Sequence, residues 1–445
     1  MIENDAFKLL LINLFHLNPD DIANILCTTF NKMMVLLVTL TDKHQACPYC
    51  GFTAPKIKEY VTKEITHSAL TTQKCIIKYR ARRYKCSCCG KTYYEFNPFV
   101  FKSQKISILT VHNILKDLKD FNETFTSVAR RYHVSPTSVS TIFDNHVDIG
   151  RNPLPEIINF DEVYAFKSEK SKYVCVLLDF KKQIPVDVLP NRKKEYLLNY
   201  FQKIPLEERK KVKYACSDMY EVYRDVVHKV FPEAKHLLDY FHLSQDFHRK
   251  MNEVRIKVMK GYKDNKASDE YYLLKKFNWL LFKNPEDEDK YGRLFDVERE
   301  RKYNSHFKSY IDYYDLRKKL LEINNDLTIC YSLKLELVDF YSKSTIDNAK
   351  VNLENLIRSC IDTNIDEMIA FSNNLINWKQ EIINSFTIVG TEYKVEADKG
   401  QVVVCNKKVN NAIIENRNKI IKCIKNNANG YTNWSRFRNR VMYVL

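Results

Sequence analysis

Glycine is scarce in this 445-residue chain, which contains 8 of them. Flexible Gly/Ser linkers are therefore not what joins its domains. Long apolar runs are also missing. The apolar segment Met33–Leu40 is far too short to span a bilayer. The first residues, Met1 to Asp5, are acidic rather than basic, and no small-residue cleavage site follows them. We expect a cytoplasmic protein with no membrane partner.

Positive charge predominates over negative charge. The 71 Lys and Arg residues exceed the 55 Asp and Glu residues, so the net charge is +16 and the pI is near 9.1. This balance favours a polyanionic partner, with nucleic acid ahead of a membrane surface. A hydrophobic fraction of 45% supports folded globular domains, and the length predicts about two to four of them.

Four of the 13 cysteines have the spacing of metal ligands. Each pair forms Cys-x-x-Cys followed by Gly, which lets two thiolates take adjacent corners of a zinc tetrahedron above a tight turn. Four thiolates fill the coordination shell, so we expect a structural Zn²⁺ ion. The alternatives are scattered structural cysteines, or Cys88 in place of the second ligand of the second pair. The predicted ligands are Cys47, Cys50, Cys86 and Cys89.

The segment from Phe125 to Phe143 has the pattern of a helix-turn-helix. Small Ala129 fits the helix crossing, and Ser135 can cap the second helix. His133 stands at the tight-turn position, where glycine is common, and His tolerates positive φ better than most residues. An ordinary helical hairpin is the alternative. The candidate DNA-binding residues are Arg130, Arg131, Ser135, Thr137, Ser138 and Ser140.

From Ile157 the pattern becomes strand, strand, strand, helix, strand, helix, strand. Strands followed by alternation predict a mixed sheet with helices on its faces. The first three strands are predicted at Ile157–Lys167, Lys172–Phe180 and Gln183–Leu189. Residues 242–383 have a helical pattern almost throughout, and Thr387–Val404 is β-prone.

Three carboxylates occupy positions that such a sheet would bring together. Asp161 interrupts an apolar strand, Asp218 follows another strand, and Glu415 begins the last helical stretch. An RNase H-like sheet carries acids on its first and fourth strands and receives a third from a helix packed across it. Oxygen ligands of this kind suit two Mg²⁺ or Mn²⁺ ions in phosphoryl chemistry. Taken singly, each acid could instead be a turn former.

Asp239 and His242 follow the fifth predicted strand and could lean over the same cleft. A helix-capping Asp and a packed His are the alternative. The final segment interleaves basic residues with Tyr431, Trp434 and Phe437. These aromatic rings could stack on bases, or they could pack onto the sheet.

These motifs together resemble the ISL-three family of insertion-sequence transposases. The resemblance rests on the paired Cys-x-x-Cys, the helix-turn-helix, Ser217-Asp-Met-Tyr, Asp239-Tyr-Phe-His, and the ending from Ile414-Glu-Asn-Arg-Asn-Lys to Gly430-Tyr-Thr-Asn-Trp. It implies a DDE transposase with Asp161, Asp218 and Glu415 as the metal-binding triad. Asp239 and His242 match an accessory catalytic motif of related transposases. Asn416 departs from the family, which commonly has Gly there.

The expected fold class is a multidomain α/β protein with an RNase H-like mixed-sheet core and a large helical insertion, preceded by a zinc-ribbon-like module and a helix-turn-helix domain. The expected boundaries are 1–100 for the zinc-binding domain, 101–150 for the helix-turn-helix domain, 151–243 for the first part of the catalytic core, 244–405 for the helical insertion, and 406–445 for the C-terminal helix and tail of the core.

The resemblance implies binding to double-stranded DNA at terminal inverted repeats and at target DNA, in a bacterial, nucleoid-associated protein. Cleavage and strand transfer would depend on two Mg²⁺ ions, and synapsis of two DNA ends predicts a homodimer or a higher oligomer. One alternative is a DNA-binding regulator without catalysis, including a decayed transposase. A structure-specific nuclease without strand transfer is a weaker one.

Overall fold

The computed structural model describes residues 2–43, 45–53, 55–101, 104–166, 171–296, 298–395 and 402–445. The chain divides into two compact units. Unit 1 contains residues 1–151, 163–173 and 417–445, and unit 2 contains residues 152–162 and 174–416. Within the described ranges, no helix combines the length and apolar character needed to cross a membrane.

The helices and strands are numbered in chain order. The helices are α1 (Ile2–Leu14), α2 (Ile108–Asp117), α3 (Phe125–Arg131), α4 (Pro136–His146), α5 (Lys194–Gln202), α6 (Leu206–Arg209), α7 (Glu221–Val230), α8 (Tyr240–Lys260), α9 (Asp269–Lys276), α10 (Tyr313–Glu322), α11 (Asn325–Lys343), α12 (Ala349–Asp362), α13 (Asp366–Asn377), α14 (Lys379–Asn384), α15 (Ala412–Asn427) and α16 (Trp434–Val444). The strands are β1 (Ile22–Phe30), β2 (Met33–Leu40), β3 (Lys56–Thr66), β4 (Cys75–Lys85), β5 (Thr92–Tyr94), β6 (Ile157–Val163), β7 (Val174–Asp179), β8 (Pro185–Leu189), β9 (Tyr214–Ser217), β10 (Lys235–Leu238), β11 (Glu288–Asp289), β12 (Gly292–Arg293), β13 (Lys302–Asn304), β14 (Ser309–Ile311), β15 (Ile388–Val395) and β16 (Val402–Lys408).

Unit 1 begins with a five-stranded sheet in the order β1-β2-β4-β3, with β5 paired to β4. Strand β1 was not among the predicted elements. It joins β2 through Asn31 and Lys32, whose φ angles are 48° and 62°. Two consecutive positive φ values are typical of a tight hairpin turn whose twist matches the strands. Strand β4 also pairs antiparallel with β3.

Three short helices, α2, α3 and α4, form a second core in unit 1. Val128, Ala129, Val139 and Ile142 are all buried, and Ala129 is the small residue that the sequence placed at the helix crossing. The turn between α3 and α4 contains His133 with φ of 53°.

The C-terminal segment packs on these same helices. Phe125 contacts Tyr431 in an edge-on arrangement, and Tyr443 contacts Phe143. Phe166 contacts both Trp434 and Phe437. Of the two alternatives for Tyr431, Trp434 and Phe437, packing against the protein is present, with partners on α3 and at Phe166. Residues 417–445 lie in unit 1 with the helices, although the sequence assigned them to the catalytic core.

Unit 2 contains a five-stranded sheet in the order β10-β9-β6-β7-β8. Strand β9 is parallel to both β6 and β10, whereas β7 and β8 form an antiparallel hairpin. All five strands are almost wholly buried, as is typical of a sheet covered on both faces. The predicted succession of strands and helices is thus present, although residue 167 at the end of the first predicted strand is outside the described ranges.

Helices α8 to α14 form a separate apolar core in unit 2. This region was expected to be helical almost throughout, and it also contains the two short hairpins β11–β12 and β13–β14. The β-prone patch near residues 387–404 contains β15 and the start of β16, which pair antiparallel. Residues 396–401 of that patch are outside the described ranges.

Arg440 holds the C-terminal helix to the helices of unit 1. Its side chain is 1% exposed, and its Nη2 donates hydrogen bonds to the carbonyl oxygens of Asp120 and Glu123, at 2.8 and 2.9 Å. An Arg440→Met substitution leaves both carbonyl oxygens without this donor, and the cost is about 1–3 kcal/mol for each one that water cannot reach. We expect it to lower the free energy of unfolding of unit 1 by roughly 2–4 kcal/mol. Denaturant melts followed by circular dichroism measure this loss.

The matched control is Lys422→Met, which removes a positive charge from an exposed position of α15. It should change the free energy of unfolding by no more than about 0.5 kcal/mol. Equal effects of the two substitutions would show that the buried guanidinium does not hold α16 in place.

Candidate functional site

Acidic residues gather at one edge of the unit 2 sheet. Asp161 lies near the end of β6, while Asp218 and Asp239 directly follow β9 and β10. Because these three strands are parallel neighbours, their carboxyl ends lie at the same edge. Asp161 and Asp239 are only 8% and 3% exposed. The two aspartates predicted from the sequence therefore come together, with Asp239 beside them.

Two buried asparagines join this edge to the start of α15. Asn159 Nδ2 donates hydrogen bonds to Asn411 Oδ1 at 2.7 Å and to the Asn410 carbonyl oxygen at 2.8 Å. Asn411 Nδ2 donates in return to the Phe160 carbonyl oxygen at 3.2 Å. Glu415 lies one turn further along α15. The asparagine bonds therefore bring it to the sheet, although it is 254 residues after Asp161 in sequence.

Asn159 was not identified from the sequence. It stands two residues before Asp161, so the two side chains lie on the same face of β6. The signal that could have revealed Asn159 is an amide side chain in an apolar strand, two residues before a candidate metal-binding acid.

Glu415, Asp239 and His242 form a close group. Each offers a ligand atom, and these atoms lie within 4.8 Å of one another. His242 Nε2 and Asp239 Oδ2 are 3.8 Å apart, too far for a hydrogen bond, and both atoms are buried without a hydrogen-bond partner among the described residues. The other Asp239 oxygen accepts a hydrogen bond from the Asn411 backbone N–H at 3.2 Å. Buried polar atoms normally have partners. The space between Asp239, His242 and Glu415 therefore has the chemistry of a cation site.

Asp161 and Asp218 are both buried acids with raised pKa values. The pKa of Asp161 is raised to about 7, chiefly by burial and also by the charge of Asp218, while the backbone N–H of Glu162 and nearby His242 oppose the shift. Burial likewise raises the pKa of Asp218 to about 7, with Glu162 and Asp239 adding to the effect. Asp218 Oδ1 is buried and has no hydrogen-bond partner in the described part of the chain. A divalent cation is the natural counter-charge for carboxylates held together in this way.

The neighbouring Glu162 has a different environment. It pairs with Arg192, and its Oε2 accepts a hydrogen bond from the Tyr223 hydroxyl at 3.2 Å. Tyr223 also packs against Phe160, two residues earlier in β6. Glu162 therefore faces α7, on the opposite side of the strand from Asn159, as strand alternation predicts.

The four predicted cysteine ligands converge in unit 1. Their sulfur atoms lie within 4.8 Å of one another, with Cys47 and Cys89 at 3.7 Å and Cys50 and Cys86 at 3.5 Å. Cys88 is exposed and outside this group, so the structure favours Cys89 as the fourth ligand. The backbone N–H of Cys89 points at Cys86 Sγ and lowers the pKa of this thiol to about 6. The cluster has the composition of a structural zinc site.

The two knuckles have the same backbone geometry. In each, the N–H of the glycine bonds to the carbonyl oxygen of the first cysteine, at 2.8 Å for Gly51 and 3.0 Å for Gly90. Both glycines have positive φ, 75° and 70°. A side chain is strained in this conformation, which explains the glycine after each pair.

The predicted DNA-binding residues fall into two groups. Thr137 and Arg130 are exposed, whereas Arg131 is held by ion pairs with Asp117 and Glu123. The three predicted serines, Ser135, Ser138 and Ser140, make hydrogen bonds within α4 and its N-terminal cap. Ser135 Oγ accepts the N–H of Ser138 and contacts its hydroxyl at 2.8 Å, and Ser140 Oγ donates to the Thr137 carbonyl oxygen.

Comparison with known proteins adds two findings. A family of proteins described as transposases, of the DDE type and the ISL-three group, matches residues 158–402, which is more than half of the chain. The transposase for insertion sequence element IS1001 of Bordetella parapertussis is 20% identical over 393 residues, covering 88% of this chain and 86% of that protein. The family match contains Asp161, Asp218, Asp239 and His242 and ends before Glu415. The chain belongs to the ISL-three family of transposases.

Proposed function

We propose that this protein is a DDE transposase of an insertion sequence. It binds the terminal inverted repeats of the element and catalyses Mg²⁺-dependent phosphodiester cleavage and strand transfer. The observation that carries this proposal is the gathering of Asp161, Asp218, Asp239, His242 and Glu415 in a chain of transposase type.

The topology of unit 2 supports an RNase H-like core. Its sheet begins with the hairpin succession β6, β7, β8 and then adds β9 and β10 on the other side of β6. The first and fourth strands in chain order, β6 and β9, supply Asp161 and Asp218. A helix from the end of the chain, α15, supplies Glu415.

Asp161, Asp218 and Glu415 are the residues that would hold two Mg²⁺ or Mn²⁺ ions. Their carboxylate oxygens are the hard ligands that these ions prefer. Asp218 Oδ1, which is buried and has no hydrogen-bond partner among the residues described, fits this role. When bound, such ions stabilise charge on the attacking and leaving oxygens of an in-line displacement at phosphorus.

The protein itself contributes position and local charge. Water, and later a DNA 3′-hydroxyl, is the nucleophile, and no covalent bond forms between enzyme and DNA. Asp239 and Asn411 fix the start of α15 beside the sheet, so Glu415 faces the other acids. His242 Nε2, which lacks a protein hydrogen-bond partner in the ranges described, is available to a phosphate oxygen.

The zinc module and the helices α3 and α4 are assigned to DNA binding. Exposed Arg130 and Thr137 lie on these helices with Ser135, Ser138 and Ser140 nearby, and the net charge of +16 suits a phosphate backbone. Arg131 is better described as a structural residue, because two carboxylates hold it. Joining two element ends requires two active sites, so the working form is a homodimer or a larger assembly.

The triad can be tested by removing one charge at a time. Asp161→Asn, Asp218→Asn and Glu415→Gln should each reduce cleavage of labelled end DNA by on the order of 10²–10³-fold or more, because each removes transition-state stabilisation. Binding of end DNA in a gel-shift assay should remain. The control Glu207→Gln changes an exposed acid whose side chain is 81% exposed, and it should cleave normally. Normal cleavage by any of the three triad variants would exclude that residue as a metal ligand.

The two adjacent arginines of α3 should behave differently. Arg130→Gln removes an exposed charge, so it should weaken DNA binding and reduce the slope of log affinity against log salt by about 1. Arg131→Gln breaks two ion pairs and should mainly lower the melting temperature of unit 1. Salt-dependent binding and thermal melts of both variants measure the contrast. An unchanged salt slope for Arg130→Gln would remove it from the DNA contact.

The zinc site can be tested with neighbouring cysteines. Cys89→Ser removes a proposed ligand and should lose one equivalent of zinc, whereas Cys88→Ser should retain it. Elemental analysis of the purified proteins gives the zinc content. Since structural zinc sites contribute to folding, Cys89→Ser should also melt at a lower temperature. Loss of zinc from Cys88→Ser alone would reverse the ligand assignment.

A further inference from the structure

A second group of potential metal ligands lies in unit 2, formed by residues outside the candidate active site. His228 on α7, His236 on β10 and Glu381 on α14 each offer a ligand atom, and these atoms lie within 4.8 Å of one another. Two of the three side chains are buried, with His236 1% exposed and Glu381 5% exposed. No local motif reveals this group, because its members are spread over 153 positions, counted from His228 to Glu381.

The hydrogen bonds around His236 fix its tautomer. The Ser217 hydroxyl donates its one proton to the Asp218 carbonyl oxygen at 2.9 Å. It must therefore accept a hydrogen bond from His236 Nε2, which lies 2.9 Å away. A neutral ring with a proton on Nε2 has a bare lone pair on Nδ1.

The free lone pair of His236 is the second, independent sign of a ligand. Nδ1 is buried and has no hydrogen-bond partner among the described residues. A neutral imidazole whose other nitrogen donates to an oxygen is the usual state of a metal-bound histidine. Here Ser217 supplies that oxygen.

His228 and Glu381 are close to the separation that a shared ion needs. His228 Nε2 and a Glu381 oxygen lie 3.9 Å apart, beyond hydrogen-bond distance. Two ligand atoms at zinc bond lengths in a tetrahedral site are separated by about 3.4 Å. The His228 side chain is 55% exposed, so a small rotation can close this difference.

The guanidinium of Arg224 is a nearby positive charge and works against a cation here. However, its guanidinium stacks over the Trp378 ring at 4.3 Å and donates a hydrogen bond to the Asn377 carbonyl oxygen. The carboxylate of Glu381 supplies the opposite charge within the ligand group itself.

We propose that His228, His236 and Glu381 bind a Zn²⁺ ion, with water completing a four-coordinate site. Two imidazole nitrogens and one carboxylate oxygen suit Zn²⁺, whereas Mg²⁺ prefers oxygen ligands throughout. The ion joins α7, β10 and α14, and the bond from His236 through Ser217 reaches the backbone of Asp218. Zinc at this site therefore positions the loop that carries a proposed catalytic acid, without touching DNA.

The test measures zinc in the full-length protein after dialysis against zinc buffered by a competing chelator. His228→Gln changes an exposed side chain, so the fold is preserved, and it should lose one equivalent of zinc relative to wild type. Glu381→Gln keeps the side-chain shape and should weaken zinc affinity at least about tenfold, since it removes the charged ligand. The matched control is Lys229→Gln, an exposed residue next to His228, which should retain the wild-type zinc content.

Two further variants separate this site from the other metal-binding groups. Cys89→Ser should lose a different equivalent, so its combination with His228→Gln should lose two. His242→Gln alters the active-site group and should leave the His228-dependent zinc in place. Wild-type zinc content in His228→Gln would overturn the proposal, as would loss of the same equivalent from His242→Gln instead.

Discussion

The mutual hydrogen bonds of Asn159 and Asn411 are the constraint on which the candidate active site depends. Both side chains are fully buried, so neither amide can exchange its partner for water. Each satisfies polar atoms on the other's segment, and Asn411 also binds Asp239 through its backbone. Replacing one of them would leave buried donors and acceptors unpaired, which costs more than the bond contributes. This pair determines where α15 begins and therefore where Glu415 lies.

Burial raises the pKa values of the acids beside this pair of asparagines. Asp161 and Asp218 are held near each other where water cannot screen them, and both pKa values rise to about 7. A protein that only needed stability would have little use for such an arrangement, because apolar residues would pack there without the desolvation cost. The same environment strengthens the attraction for a cation. The cost to the fold and the affinity for an ion thus have one physical origin.

Local patterns predicted much of this structure, and long-range packing accounts for the rest. The apolar strand around Asp161, the Asp218 that ends a strand and the two cysteine pairs are local signals, and each lies as expected. Strand β1 was missed because its turn uses Asn31 and Lys32 rather than glycine. Tyr431 and Tyr443 near the C-terminus pack on α3 and α4. The sequence periodicity of the tail does not indicate which elements these rings contact.

The distance in sequence between the two asparagines also affects when the site can form. Asn159 leaves the ribosome 252 residues before Asn411. At typical bacterial and eukaryotic elongation rates this interval lasts roughly 10–50 s, during which β6 has no amide from α15 to bind. The acids cannot be assembled until nearly the whole chain has been translated. A polypeptide cut short within the helical insertion would have Asp161 and Asp218 but lack Glu415, so it could not assemble the candidate site.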